Sequence, residues 1–164
     1  MAPATQSQRI GVAVISVGAG RDANDENGQL IADLLEQSGH AVVRRLKIKD
    51  APLMIKGELA ILTESSSCQA IIMSGGTEIS PRDTTYDALY KLMEKRLEGF
   101  GEIFRFLNYQ EKGPEAVLTR AAAGLYRGRL IIAIPAALDA VRLAMDKLIL
   151  PQLERMVLQT VRRA

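Results

Sequence analysis

A glycine-rich segment in the middle of the chain has the composition of an anion-binding turn. Residues 70–85 read AIIMSGGTEISPRDTT, which predicts a buried strand, a turn at Gly75 and Gly76, and the start of a helix. Glycines tolerate positive φ and let the backbone approach a ligand, and free N–H groups in such a turn attract negative charge. Polar and charged side chains surround the glycines, namely Ser74, Thr77, Glu78, Arg82 and Asp83. The segment predicts a site for a phosphate or nucleotide; the alternative is a turn that only connects strand to helix.

Two aspartates could hold a cation at this site. Asp50 follows the predicted strand 41–48, and Asp83 follows the glycine turn. Because the carboxyl ends of parallel strands meet at one edge of a sheet, both carboxylates are expected at the same rim. Such oxygen donors suit Mg²⁺, which commonly takes one or two carboxylates together with substrate phosphates. The alternative for each residue is a helix-terminal carboxylate, with Asp50 capping a helix that begins near Pro52.

A second polar loop separates the first predicted strand from the first predicted helix. Residues 22–28 read DANDENG and precede leucines and isoleucines at helical spacing. We expect this loop to cap the helix through Asn27 or to contact a ligand. After the glycine turn, Thr84 with Asp87 three residues later resembles a second capping arrangement.

Strands and helices alternate along the chain. Short apolar runs predict strands, and the amphipathic stretches between them predict helices. The predicted strands are 9–17, 41–48, 69–73 and 129–134, and the later predicted helices are 102–109, 114–123 and 137–163, the last kinked or divided at Pro151. This order predicts an α/β fold with a mainly parallel sheet and helices on both faces. The 164 residues, 48% of them hydrophobic, are expected to form one domain, 1–164.

Composition narrows the classes of function. Lys and Arg total 21 against 19 Asp and Glu, and a net charge of +2 does not indicate nucleic-acid binding. The single histidine and single cysteine, His40 and Cys68, argue against histidine-ligated zinc, serine-histidine hydrolysis and internal disulfides. No apolar run approaches the ~20 residues of a membrane span. Residues 1–8 lack a signal pattern and are expected to be disordered. We expect a cytoplasmic protein with no nucleic-acid or membrane partner.

Several segments together resemble the molybdenum cofactor biosynthesis family that contains MoaB and MogA. The glycine turn with its Arg82-Asp83 ending and Thr85 is similar to the G-G-T-G…R-D-x-T motif of that family. Further similar stretches are LEGFGEIFR at 97–105, AVLTRA at 116–121 and LAMDKLILP at 143–151. The resemblance extends from about Ile10 to Pro151 and is closer to MoaB than to MogA.

The resemblance implies a three-layer α/β molybdopterin-binding fold that assembles as a trimer or as a dimer of trimers (a hexamer). It also implies that the chain binds molybdopterin and, if active, adenylylates its phosphate with Mg-ATP and releases pyrophosphate. Asp50 and Asp83 would be the catalytic residues and the Mg²⁺ ligands. The implied substrate-binding residues are Ser74, Gly75, Gly76, Thr77, Glu78 and Arg82 in the turn, Asp25, Asn27 and Gly28 in the polar loop, and Pro135 after the last core strand. Other proteins of cofactor assembly are implied as partners.

Three loops depart from the family pattern. Glu78 replaces the last glycine of G-G-T-G, and the loops at 18–20 (GAG) and 136–138 (AAL) replace more polar or glycine-containing family sequences. A carboxylate beside phosphates is unfavourable, because like charges ~4 Å apart repel by roughly 1 to 4 kcal/mol. The alternative function is therefore a catalytically silent relative that binds a pterin or nucleotide, or that serves as a structural partner.

Overall fold

The computed structural model describes residues 7–18 and 24–161 as a sheet with helices on both faces. The strands are β1 Gly11–Val17, β2 Ala41–Ile48, β3 Ala70–Ser74, β4 Lys95–Arg96, β5 Ala122–Tyr126 and β6 Arg129–Ile134. The helices are α1 Glu26–Gln37, α2 Pro52–Glu64, α3 Thr85–Leu92, α4 Glu98–Lys112, α5 Leu138–Ala144 and α6 Leu150–Val161, with a 3₁₀ helix at Gly113–Leu118 and a π-helical turn at Met145–Ile149. No helix in these ranges is long and apolar enough to cross a membrane.

The sheet is mainly parallel, which confirms the fold class predicted from the alternation of elements. Its strand order is β2-β1-β3-β6-β5-β4, and the first four of these strands are parallel. β5 runs antiparallel to both of its neighbours. β2 lies at an edge of the sheet, where the side chains of Arg44 and Arg45 are exposed.

Alternating residues of the central strands supply two hydrophobic cores. In β1, Val12 and Val14 face α1, α4, α5 and α6, whereas Ala13 and Ile15 face α2 and α3. Because both faces are covered, the strand sequences are almost continuously apolar. Their carboxyl ends remain free to present polar groups at one edge.

Cys68 and His40 are buried at the opposite, amino-terminal edge of the sheet. The Cys68 thiol donates to the carbonyl oxygen of Ala70 at 3.4 Å, and burial raises its pKa. Nδ1 of His40 accepts a hydrogen bond from the Ile10 N–H at 3.3 Å, and burial lowers the pKa of the imidazole. Both residues therefore pack within the fold, away from the carboxyl ends of the strands.

One predicted helix is wrong. Residues 114–123 contribute instead to the 3₁₀ helix and to the first residues of β5. Pairing with β6 overrides the local helix preference of this alanine-rich stretch. Gly124 allows the close approach of β4, because a Cβ there would collide with the carbonyl oxygen of Lys95 and lie 2.8 Å from the sulfur of Met93.

The C-terminal helical segment continues through Pro151. α5, the π-helical turn and α6 follow one another directly. Proline has no N–H to donate to the carbonyl four residues earlier, and the wider π turn ends at Ile149, two residues before Pro151. The predicted interruption is therefore a change of helical winding.

Asp25 is the N-cap residue of α1 and connects this helix to the sheet. Its carboxylate accepts hydrogen bonds from the Ser16 hydroxyl on β1, from the Gly28 N–H at 3.0 Å, and from Nε of Arg45 on β2 at 3.1 Å. The predicted capping role of Asn27 is wrong, because Asn27 already lies in the first turn of α1. Burial by itself raises the pKa of Asp25. The hydrogen bonds and the Arg45 charge outweigh burial, so the pKa lies below its ordinary value.

The substitution Asp25→Asn tests the charged part of this cap. Asparagine keeps the shape of the side chain but loses the attraction to Arg45, so the free energy of unfolding at pH 7 should fall by about 1 kcal/mol. The pKa of Asp25 is lowered on folding, so its stabilising contribution is complete above the unfolded pKa and is lost as the pH falls through the folded pKa. Urea unfolding at pH 7 and at a pH well below about 4, under both pKa values, measures this change. An equal difference between parent and variant at both pH values would contradict it.

Candidate functional site

The carboxyl ends of the parallel strands border a cleft of about 560 Å³. Val17 of β1, Asp50 after β2, Gly75 after β3 and Ala136 after β6 all line it. Its other described lining residues are Gly18, Lys49, Gly76, Thr77, Glu78, Arg82 and Asp83. Parallel α/β sheets bind ligands at this edge. The structure thus brings together the two predicted catalytic aspartates and most of the glycine-rich segment, in what we name the Asp50/Asp83 cleft.

Gly75 and Gly76 form a turn in which only glycine fits. Their φ angles are 104° and 67°, both in the left-handed region. The Gly75 N–H donates to the carbonyl oxygen of Ile134 at 3.0 Å, and a Cβ on Gly75 would collide with the carbonyl oxygen of Val17. A Cβ on Gly76 would lie 2.6 Å from the Asp50 carboxylate. The turn therefore passes between β1 and Asp50.

The Asp50 carboxylate joins the end of β2 to the beginning of α3. It accepts hydrogen bonds from the Thr84 hydroxyl at 2.6 Å, from the Thr85 hydroxyl at 3.1 Å, and from the Thr84 N–H at 3.1 and 3.2 Å. The alternative prediction for Asp50 is wrong, because Ala51 occupies the N-cap position of α2. Thr84 is the N-cap residue of α3, as predicted, but its side chain makes no capping hydrogen bond, because its hydroxyl donates to Asp50. Oδ2 of Asp50 accepts only the Thr84 N–H among the described residues and borders Gly76.

Asp83 contributes a less constrained carboxylate. Its N–H donates to the carbonyl oxygen of Ser80 at 2.9 Å, which fixes the backbone, and its side chain is half-buried in the cleft. No hydrogen bond from a described residue reaches its carboxylate oxygens. α3 begins at Thr85 behind its N-cap residue Thr84, so Asp83 is not the residue that caps this helix. Its oxygens are available to a cation or a ligand.

The charges that line the cleft favour a cation together with an anionic ligand. Among the described lining residues, the carboxylates are Asp50, Glu78 and Asp83, and the cations are Lys49 and Arg82. Negative charge in excess disfavours a bare polyphosphate and favours one that carries a divalent cation. No group of three or more His, Cys, Asp or Glu side chains in the described ranges could hold a metal ion alone. A divalent cation at these carboxylates would need further oxygen ligands, such as phosphate oxygens.

Asp25, Asn27 and Gly28 lie near the same edge of the sheet but do not line the Asp50/Asp83 cleft. Asp25 lines a second cleft of about 820 Å³ between α1, β2 and α5, together with Arg45 and Arg142. Gly28 is buried against the Asp25 carboxylate, and Asn27 is half-buried in the first turn of α1. The altered residues Ala19 and Gly20, between β1 and this helix, lie outside the described residues.

Ser74 and Pro135 flank the cleft. Ser74 is the last residue of β3, and its buried hydroxyl has no hydrogen-bond partner among the described residues. Pro135 lines a neighbouring cavity of about 440 Å³, which shares Thr77 and Glu78 with the Asp50/Asp83 cleft. Glu78 thus stands between the two spaces with its side chain exposed.

Sequence reasoning missed two cations near the cleft. Lys49 lines it, and its position beside Asp50 at the end of a strand was an available signal. Arg120 lines the neighbouring cavity and donates hydrogen bonds to the carbonyl groups of Thr77 and Glu78. Arg120 lies in one of the stretches that carry the family resemblance, but nothing local connects it to a turn more than 40 residues earlier.

Comparison with known proteins gives a consistent result. Residues 13–155 match the family model described as a probable molybdopterin binding domain. The chain is 43% identical over 155 residues to molybdenum cofactor biosynthesis protein B of Staphylococcus epidermidis, covering 92% of this chain and 88% of that protein.

Solved structures agree with the sequence comparison. A crystal structure of a molybdenum cofactor biosynthesis protein B has a TM-score of 0.90 at 32% identity and covers 95% of this chain and 98% of that one. The tungsten cofactor synthesizing protein MoaB of Pyrococcus furiosus has a TM-score of 0.86 at 28% identity and covers 94% of this chain and 99% of that one. The sequence match, the shared fold and the glycine-rich segment together show that this chain belongs to the MoaB/MogA family of molybdenum cofactor biosynthesis proteins.

Proposed function

We propose that the Asp50/Asp83 cleft binds molybdopterin and adenylylates its phosphate with Mg-ATP. The observation that carries this proposal is the juxtaposition of a left-handed Gly75-Gly76 turn with two carboxylates in one cleft. We propose molybdopterin as the ligand because the relatives are named molybdenum cofactor biosynthesis proteins. The cytoplasm is the proposed compartment.

The chain offers phosphate-binding groups on the turn. Within the described ranges, the N–H groups of Gly76, Thr77, Glu78 and Ile79 donate to no protein acceptor. Successive free N–H groups form an anion-binding concavity, to which Lys49 and Arg82 add positive charge. Phosphate oxygens of either substrate could be held there.

Asp83 and the Oδ2 atom of Asp50 are the groups that would hold Mg²⁺. The ion would neutralise charge on the phosphates of ATP. In the proposed reaction an oxygen of the molybdopterin phosphate attacks the α-phosphorus of ATP, the bond from that phosphorus to the pyrophosphate oxygen breaks, and pyrophosphate leaves. The attacking phosphate is already anionic near neutral pH, so the chain needs to position and stabilise charge without supplying a base.

Glu78 favours a second candidate function, a binding protein without catalysis. It adds a third carboxylate residue to the described lining of the cleft. The backbone of Glu78 does not have positive φ and so does not hinder function, because Arg127 is the one non-glycine residue with positive φ in the described ranges. Glu78 therefore occupies the place of the family glycine without left-handed strain, and its charge is what distinguishes the two candidates.

We also propose that the chain self-associates, as the family resemblance implies, in a trimer or hexamer. The supporting feature is an exposed apolar patch on α4 and the following 3₁₀ helix, which we name the α4 patch. Its residues and their exposed fractions are Ile103 49%, Phe106 59%, Tyr109 56%, Val117 81% and Leu118 62%. An apolar cluster of this kind fits an interface better than solvent. Other proteins of cofactor assembly are further proposed partners.

Substitution of Asp83 tests the catalytic proposal. Asp83→Asn removes one cation-holding carboxylate and should lower pyrophosphate release from Mg-ATP and molybdopterin by about 100-fold or more. Its unfolding midpoint and sedimentation should match those of the parent. Asp146→Asn, which removes an exposed carboxylate outside the cleft, is the matched control and should keep full activity. A parent protein without turnover would reject the adenylyltransferase proposal.

Two substitutions at Glu78 separate charge from shape. Glu78→Gln and Glu78→Gly both remove the negative charge, so both should bind Mg-ATP about tenfold more tightly than the parent in low-salt calorimetry. Equal gains would assign the effect to charge. A gain confined to Glu78→Gly would assign it to the side chain's bulk, and no gain in either variant would show that Glu78 does not weaken the site.

A charge placed in the α4 patch tests self-association. Phe106→Glu should convert a sedimenting trimer or hexamer into a monomer, because an unpaired carboxylate is costly to bury in an apolar interface. Leu53→Glu is the matched control, since Leu53 is 84% exposed on α2 outside the patch. Equal sedimentation of parent and Phe106→Glu would exclude this patch as the interface.

A further inference from the structure

Arg120 reaches from the segment before β5 to the glycine-rich loop. Its Nε donates to the carbonyl oxygen of Thr77 at 2.8 Å, and its Nη2 donates to the carbonyl oxygen of Glu78 at 2.6 Å. The two acceptors are consecutive along the chain. One guanidinium group therefore fixes the orientation of two successive peptide units of the loop.

The guanidinium is itself held from α3. Nη1 of Arg120 lies 3.0 Å from Oδ1 of Asp87, and the centre of the guanidinium lies 4.4 Å from the centroid of the Tyr86 ring. The Arg120 side chain is only 20% exposed. This combination uses the planar fork and the stacking face of arginine, neither of which lysine provides.

Peptide geometry connects these contacts to the N–H groups of the loop. A trans peptide unit is planar, and its N–H points opposite to its C=O. With the Thr77 and Glu78 carbonyl groups turned toward Arg120, the N–H groups of Glu78 and Ile79 must point away from it. These two N–H groups are among those that find no acceptor in the described part of the chain.

We propose that Arg120 is a positioning residue, which aims the N–H groups of Glu78 and Ile79 at a phosphate group of the ligand by holding the two preceding carbonyl groups. The inference rests on the proposed function for the ligand's presence, and it adds a residue that does not touch the ligand. It also explains how Glu78 can serve the site through its backbone while its side chain departs from the family glycine.

The test compares Arg120→Lys with Arg96→Lys. Arg96 is the matched control, because it stacks on Tyr90 at 3.7 Å and donates to the Tyr90 carbonyl oxygen without contacting the loop. Calorimetric titration with inorganic pyrophosphate and Mg²⁺ measures anion binding, and urea unfolding measures stability. We expect Arg120→Lys to weaken pyrophosphate binding about tenfold or more, with Arg96→Lys unchanged and the two unfolding midpoints similar.

Two further readouts distinguish positioning from general support of the fold. In the free protein, the amide resonances of Glu78 and Ile79 should shift in Arg120→Lys and stay in place in Arg96→Lys. Added guanidinium ion should restore pyrophosphate affinity to Arg120→Ala. Unchanged amide resonances or unchanged affinity in Arg120→Lys would overturn the inference, as would a parent that does not bind pyrophosphate. A parent that binds pyrophosphate but releases none from Mg-ATP and molybdopterin would contradict the proposed adenylylation and leave the inference about Arg120 in place.

Discussion

The arrangement of the cleft depends on the hydrogen bonds that join the Asp50 carboxylate to the first residues of α3. Gly76 fits into the narrow space between Asp50 and Thr85. Three donor groups of the α3 terminus converge on one carboxylate, and Gly76 passes so close to it that no side chain fits there. The end of β2, the turn after β3 and the start of α3 are thereby fixed relative to one another. The Asp50 carboxylate, which we propose as a Mg²⁺ ligand, is also the connection that shapes the turn.

The sequence predicts this edge of the sheet because the prediction depends only on the order of strands and helices along the chain. Apolar strand runs and alternating helices imply parallel strands, and parallel strands bring residues such as Asp50 and Asp83 to one rim although 33 positions separate them. The turn at Gly75 and Gly76 was equally predictable, because few residues other than glycine adopt positive φ. These inferences required no knowledge of which side chains touch.

Apart from Lys49, the features that sequence reasoning missed depend on contacts between segments that are distant along the chain. The predicted helix 114–123 includes the first two residues of β5, because its alanines favour helix locally, and only pairing with β6 decides otherwise. Asn27 is not the cap of α1, and Thr84 caps α3 without a side-chain capping bond, for a related reason. Asp25 also binds Ser16 and Arg45, and the Thr84 hydroxyl donates to Asp50. Contacts with distant residues therefore decide which of several polar residues of similar capping preference makes the capping bond.

The burial of Cys68 has a practical consequence for studying the cleft. It is the single cysteine of the chain, it is fully buried, and burial raises its pKa, so little reactive thiolate forms near neutral pH. A cysteine introduced at exposed Ser80, on the glycine-rich loop, would then be the reactive thiol of the molecule. A fluorophore attached there would report on the loop selectively, with the native thiol left in the core.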